Sequence, residues 1–372
     1  MKIGLVLDTT LDSDAGVQQY FKGLARYLLS KGHNVRFLVP PSKNRGEFRG
    51  KVISFGKSIS LHGNANIVPT VIFVRKQKIK ETLERENFDI LHISAPFSPI
   101  LGAKILTLAR CPIVASYVVL ARSELYRKFS SCLRLLLDSV YKRIDAFVAI
   151  STSAKKEAES VIPGNYKIIP IGVDLEKYSN KVLKLKKFKD IKQNILFLGR
   201  LEERKGCEYI IRAFAKAKKE LKNIRLIIAG DGSLRKKLEE LVKKLNLKNV
   251  VFEGYVNEEI KQKYYATADV CVFPSIYGES FGVVLIEAMA SGKVTLAFSN
   301  EGYSFVLKNL PELLVENRNV EQLSRKLLKY LKDKNLREEY ERKCLQEARK
   351  FSWESVGERI EKVYNSLNKH NF

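Results

Sequence analysis

The sequence predicts an α/β protein of two doubly wound, parallel-sheet domains. Three observations point there. Short strand-like apolar runs alternate with longer amphipathic stretches, the signature of right-handed βαβ units. The alternation runs through two separate series, and a lysine-rich stretch without strand character lies between them. The length of 372 residues suits two domains, at about 100–200 residues each.

The first series opens with KIGLVL (2–7), a continuous apolar run typical of a strand covered on both faces. A loop and a helix from about Val17 to Ser30 follow. NVRFLV (34–39), DILHIS (89–94), PIVASYVV (112–119) and DAFVAI (145–150) have the same buried-strand character. The pattern restarts after Lys192 with NILFLG (194–199), NIRLIIAG (223–230), NVVFEG (249–254), ADVCVFP (268–274) and KVTLAF (293–298). Helical stretches such as 206–220 and 233–245 separate these runs. Residues 175–192 hold seven lysines and are expected to be a solvated connector. From Ser352 to Asn368 a Ser–x–Glu start suggests a capped helix, which closes the second domain or returns to the first.

Composition excludes several classes. Hydrophobic residues at 45% and charged residues at 29% fit a globular chain rather than a disordered one. No apolar run approaches the ~18 residues that cross a bilayer, and the first residues do not read as a secretory signal. Cys111, Cys132, Cys207, Cys271 and Cys344 are odd in number and never form a CxxC pair, and the four histidines are dispersed. A disulfide scaffold and a zinc ribbon are therefore excluded, and a reduced, cytoplasmic protein is expected. The net charge of +25 is diffuse, with 27 basic against 15 acidic residues in 1–180 and a similar excess beyond. Such a field favours any polyanion: phosphate, nucleic acid or an anionic membrane. Nucleic acid ranks last, because no aromatic-plus-basic stretch accompanies the charge.

Ligands of open parallel sheets bind beyond the carboxyl ends of the strands, where loops lead into helix N-termini. Gly16 stands at the first such helix, where a missing Cβ lets a phosphate or sugar approach free backbone N–H groups, although a tight turn alone would also explain it. GDGSLR (230–235) resembles half of a dinucleotide fingerprint, but Arg235 occupies its third glycine position. GRLEERKG (199–206) puts Arg200 and Lys205 in a strand-to-helix loop. A guanidinium fork and an ammonium point charge suit a diphosphate, unless both simply pair with Glu202 and Glu203. In PSIYGESFGVVLIEAMASG (274–292), a Gly-containing loop opens into an apolar helix. Glu279 precedes that helix and could serve its dipole. Glu287 lies within the helix, where burial of a carboxylate is costly without donors; two vicinal sugar hydroxyls would supply them, and so would a buried salt bridge.

Glu279 and Glu287 form an E-x7-E pair, and with it the chain resembles the family 4 glycosyltransferases of GT-B fold. AGVQQYFKGLARYLLSKGH, IPIGVDLEKY, ILFLGRLEERKG and LIIAGDGSLRKKLE follow the family's motifs in order, from residue 1 to about 365. LHISAPFSPILG (91–102) and ESFGVVLIEAMASG look most like the phosphatidylinositol mannosyltransferase-like branch. The resemblance implies two facing Rossmann-like domains with a cleft between them: 1–180 on the acceptor side, joined by a returning C-terminal helix at 352–372, and 190–350 on the donor side. It implies retaining, metal-independent transfer of a mannose- or glucose-type hexose from a GDP- or UDP-sugar, without any cofactor. Arg200 and Lys205 would hold the diphosphate and stabilise the charge that develops on it. Glu279, with backbone N–H groups at Phe281 and Gly282, would hold the sugar and distal phosphate. Glu287 would bind the ribose, the base would lie near Val256, and Gly16 would let the first domain's loop close on the donor. The acceptor would be a lipid or glycan of the cell envelope, met by a peripheral enzyme at the inner face of the membrane.

Three positions depart from the family pattern. Ala15-Gly16 replaces a glycine pair, Ser94-Ala95-Pro96 replaces H-E-P, and Val118 stands where relatives carry a sugar-contacting histidine. These departures motivate an alternative, a weakly active or inactive sugar-nucleotide-binding or membrane-docking protein on the same scaffold. The stretch VRKQKIKETLERENF (74–88) reads as a helix whose Arg75, Lys76, Lys78 and Lys80 could rest on anionic lipid, or be balanced by Glu81, Glu84 and Glu86.

Overall fold

A computed structural model describes residues 1–12, 16–43, 46–63, 66–95, 97–98, 100–118, 137–179 and 181–368. The chain divides into two compact units, Met1–Gly172 with the residues from Trp353 on, and Val173–Ser352. Both are parallel-sheet Rossmann-like halves.

In the first unit the buried runs become β1 (Lys2–Val6), β2 (Asn34–Val39), β3 (Val52–Ser54), β6 (Ile90–Ala95), β7 (Ile113–Tyr117), β8 (Ala146–Ala149) and β9 (Tyr166–Ile168). They lie in the order β3-β2-β1-β6-β7-β8-β9, and Leu5 of the central β1 pairs with Phe37 on one side and His92 on the other. A separate antiparallel hairpin, β4 (Lys57–Gly63) with β5 (Asn66–Phe73), was not expected from the sequence. The helices around this sheet include α1 (Gly16–Ser30), α2 (Lys76–Glu86), α3 (Gly102–Leu108) and α4 (Thr152–Val161).

The second unit has the order β12-β11-β10-β13-β14-β15: β10 (Gln193–Leu198), β11 (Ile224–Ala229), β12 (Val250–Gly254), β13 (Val270–Phe273), β14 (Val294–Phe298) and β15 (Leu314–Val315). Ile195 of the central β10 pairs with Leu226 and Val270, and all three are fully buried. Helices α5 (Cys207–Glu220), α6 (Arg235–Lys244), α7 (Lys261–Thr267), α8 (Val283–Ala290), α9 (Glu301–Val306), α10 (Val320–Lys332) and α11 (Lys334–Ala348) follow. Every strand pairing in the two large sheets is parallel among the described residues, so the places of interest are the carboxyl ends of β10, β12 and β13.

The last helix, α12 (Trp353–Asn368), belongs to the first unit. The indole of Trp353 lies between Gly23 and Gly172, so close that a Cβ on either glycine would fall 2.2–2.4 Å from the ring. Polar contacts fix the same helix: His33 Nε2 meets Glu361 at 2.6 Å, and Tyr27 and Lys31 donate to Glu361 and Glu354. Deeper in, His92 hydrogen-bonds Tyr364 at 2.5 Å and Ser116 at 2.6 Å, and Ser116 contacts Tyr20 at 3.2 Å. The open choice for this helix is thus decided in favour of the first domain. The lysine-rich run lies in the second unit, because Val173 N–H donates to Phe351 O at 2.7 Å and Leu185 N–H to Thr267 Oγ1 at 2.8 Å.

Candidate functional site in the second unit

Two loops at the carboxyl edge of the second sheet are laced together. The loop after β10 is set by Gly199 N–H and Leu201 N–H, which donate to Ala229 O at 3.0 Å and Asp231 O at 2.9 Å. It passes through a short 3-10 turn, Glu203–Lys205, and Gly206 then lies so near Pro274 that a Cβ would meet its carbonyl oxygen at 1.9 Å. The loop after β13 answers with Ile276 N–H, which donates to Arg204 O at 2.8 Å. Asn300 and Asn317 side chains hold Ser275 O and Ile276 O, each at 2.8 Å. Residues 75 apart in sequence are thereby forced side by side.

Glu279 is the centre of that contact. Its Oε1 accepts from Lys205 Nζ at 2.6 Å and from Arg204 Nη1 at 2.9 Å, and Arg204 Nε also donates to Glu202 at 3.1 Å. Burial works to raise the Glu279 carboxyl, but Lys205 and Arg204 outweigh it and hold the group below the ordinary carboxylate range. Burial lowers the Lys205 ammonium, the neighbouring Arg204 and Arg200 charges add to that, and Glu279 opposes it. Arg200 sits further out, 41% exposed at its side chain, with Glu202 at 2.9 Å. Three paired cations, Arg200, Arg204 and Lys205, against two carboxylates, Glu202 and Glu279, give this cluster a net positive charge, a suitable bed for a polyanion.

Immediately behind it α8 begins. Gly282 takes φ 123°, where a Cβ would meet the Tyr303 ring at 2.7 Å, and as the N-cap residue it makes no side-chain cap bond. The first N–H groups of a helix have no intrahelical acceptor, which makes such a start a common anion-binding place. The Phe281 side chain is not part of that opening: it is buried against Phe305 and Phe351. Val256 is half-buried just past β12, next to Tyr255, which is 80% exposed. Gly16 begins α1 in the first unit, exposed, with nothing within 4 Å of a Cβ; the loop residues 13–15 before it lie outside the described residues.

Glu287 has protein partners. Its burial in an apolar helix suggested hydroxyl donors from a sugar, with a buried salt bridge as the lesser alternative. The structure supplies protein donors instead: Lys261 Nζ at 2.8 Å, Tyr178 OH at 2.9 Å and Tyr265 OH at 2.8 Å. Lys261 is itself buried, yet Glu287 and Glu258 overcome the effect of burial and raise its ammonium above the usual value. Three of about four lone-pair sites on the carboxylate are taken, so burial alone gives no reason to invoke a ligand there. Arg200 likewise pairs with Glu202, as the surface alternative required, whereas Lys205 does not.

The comparisons with known proteins decide the family. A model described as Glycosyltransferase Family 4 matches residues 15–177, and one described as Glycosyl transferases group 1 matches residues 179–351. The chain belongs to the family 4 glycosyltransferases. A phosphatidyl-myo-inositol mannosyltransferase of Mycolicibacterium smegmatis is 28% identical over 373 residues, 99% of this chain and 94% of that protein. Among solved structures, a glycosyltransferase from Rickettsia africae superposes with a TM-score of 0.78 at 18% identity, covering 98% of each chain. Anabaena HepE in complex with UDP gives a TM-score of 0.77 at 18% identity, covering 99% of this chain and all of that one. These structures share the GT-B fold.

Within this glycosyltransferase Lys205 and Glu279, both singled out from the sequence, meet each other, whereas Arg204, Lys261, Tyr178 and Tyr265 join these two clusters without having been expected there. Arg204 was hidden among 66 basic residues. Lys261 carried a faint signal, since Tyr264 and Tyr265 at i+3 and i+4 mark its helix face as the buried one. Ser94 and Ala95 close β6 beside Ser116 and Tyr117, Val118 is buried just past β7, and Pro96 lies outside the described residues. Among the described residues no three His, Cys, Asp or Glu side chains are grouped as metal ligands, and no helix is long and apolar enough to cross a membrane.

Proposed function

We propose that this glycosyltransferase moves a mannose- or glucose-type hexose from a GDP- or UDP-sugar to a lipid or glycan acceptor of the cell envelope, with retention at the anomeric carbon. The observation that carries the proposal is the Arg204–Lys205–Glu279 cluster beside the start of α8. Lys205, Arg200 and the N–H groups at Phe281 and Gly282 receive the diphosphate, and Glu279 turns to the sugar as Lys205 is drawn to phosphate. Positive charge from these side chains offsets the charge on the leaving diphosphate, so no divalent cation or other cofactor is invoked. The base rests near Val256. Glu287 is assigned to the ribose, whose hydroxyls would displace one of its protein donors. Acceptor binding is assigned to the first unit, where Arg75, Lys76, Lys78 and Lys80 stand exposed on and beside α2, without an ion pair among the described residues. Those four cations suit an anionic membrane at which the enzyme acts peripherally, on its inner face. The family relation to a phosphatidyl-myo-inositol mannosyltransferase supports the lipid acceptor.

Nucleotide release from GDP-mannose, UDP-glucose and UDP-N-acetylglucosamine, with and without membrane extract, tests the reading. Release by wild type that falls about 10²–10³-fold in Lys205→Met supports it. A second reading rests on the apolar Val118 at the end of β7: a protein that binds sugar nucleotides without transfer. Binding with no release from any donor would favour that one.

A further inference from the structure

The lysine-rich run between the two strand series is more than a solvated spacer. It is pinned to the second unit at several points: Tyr178 reaches Glu287, Leu185 N–H reaches Thr267, and Phe188 is buried with the Arg225 guanidinium 5.2 Å from its ring centre. Asp190 pairs with that same Arg225, and Lys187 pairs with Glu253. With the inward positions so occupied, the remaining side chains are forced out. Leu183 and Ile191 are each 81% exposed, the most exposed large apolar side chains among the described residues. Beside them Lys181, Lys184, Lys186 and Lys189 are exposed, and none makes an ion pair among the described residues. The partly buried Lys293 adds to this field: burial lowers its ammonium, and the charge of Lys184 lowers it further.

Single exposed aliphatic side chains are ordinary. Two of them, held outward on an anchored segment and interleaved with four uncompensated lysines, match the two layers of an anionic bilayer surface. Aliphatic carbons enter the acyl boundary while ammonium groups stay at the phosphates on long, flexible stems. We propose that residues 181–191 form a lipid-docking surface on the second unit, which inserts Leu183 and Ile191 into an anionic membrane and neutralises its phosphates with Lys181, Lys184, Lys186 and Lys189. This surface is separate from the α2 cations of the first unit, and it does not depend on the transferase reading.

Sedimentation with vesicles of phosphatidylcholine containing about one quarter phosphatidylglycerol tests it, using the full chain. Wild type is expected to bind these vesicles, weakly bind pure phosphatidylcholine, and lose binding steeply with added salt. The double variant Leu183→Asp/Ile191→Asp, and separately Lys181, Lys184, Lys186 and Lys189→Gln, should each weaken the partition about tenfold or more with an unchanged thermal midpoint. In Leu183→Trp, emission should shift to the blue on adding anionic vesicles; the native Trp353, packed between Gly23 and Gly172, supplies a constant background. Absence of wild-type binding overturns the proposal. So does binding that falls only when Arg75, Lys76, Lys78 and Lys80 are neutralised. Equal affinity for a single-stranded oligonucleotide, insensitive to Leu183→Asp/Ile191→Asp, would assign the surface to a soluble polyanion instead.

Discussion

Glu279 and Glu287 sit eight residues apart and face different problems. Glu287 is the inner one, neutralised by a buried Lys261 and held by two tyrosine hydroxyls. Removing Glu287 leaves buried Lys261 with only the half-buried Glu258 at 3.1 Å, so Glu287→Gln is expected to destabilise folding by about 3 kcal/mol, the low end for a broken buried pair. The double variant Glu287→Met/Lys261→Met should cost clearly less, as read by urea denaturation. Loss of activity in a Glu287 variant therefore says little about ribose unless stability is followed alongside. Glu279 is the outer carboxylate, lodged between cations that a diphosphate would also attract. Its lowered folded value means that its stabilising share is present above about pH 4.5 and is lost as pH falls through the lowered value. Glu279→Gln leaves Arg204 and Lys205 facing each other, so its melting temperature should drop in plain buffer and recover more than wild type's on adding UDP or GDP. These pairings were not legible in the sequence. Residue types at a loop and a helix could be named, but Lys205 and Glu279 meet only because Gly206 lets one loop press on Pro274 of the other.

Among the elements, the strands with continuous β-branched runs were legible to within a residue or two: NVRFLV became Asn34–Val39 and KVTLAF became Val294–Phe298. Burial on both faces writes itself into every position of such a strand. The hairpin β4–β5 left no such mark, being mostly polar in its first strand and containing Pro69 in its second, and β15 has only two residues. The returning α12 could be read as a helix but its destination could not, because an apolar stripe does not say which surface covers it. Buried His92 supplies part of that answer by meeting Tyr364. Burial lowers its imidazole from 6.5 to about 3, so the unfolded chain binds the extra proton throughout that interval. Stability should accordingly fall as pH drops from 6.5 toward 3, and this part of the slope should flatten in His92→Gln, measured as urea midpoints against pH. Tyr364→Phe should cost about 1 kcal/mol at neutral pH by leaving one imidazole nitrogen unsatisfied.

For the molecule as a whole, the two strand series already implied two α/β halves, and the family models match one to each. The excess of positive charge did not say where it acts, since 66 basic residues are spread along the chain. The structure distinguishes them by what they touch. Lys261 and Arg225 are consumed by internal pairs, Lys205 and Arg204 share one carboxylate at the carboxyl edge, and Lys181, Lys184, Lys186 and Lys189 stand outside any pair among the described residues. In the proposed function the second group, the rim formed by Arg204, Lys205 and Glu279, receives a nucleoside diphosphate. Isothermal titration of UDP and GDP, with uridine and guanosine as phosphate-free controls, tests it most directly. Wild type is expected to bind one of the two diphosphates at one site per chain, with affinity lowered at least tenfold in Lys205→Met and with little heat from the nucleosides. Undiminished binding in Lys205→Met, or nucleosides binding as tightly as their diphosphates, would contradict it.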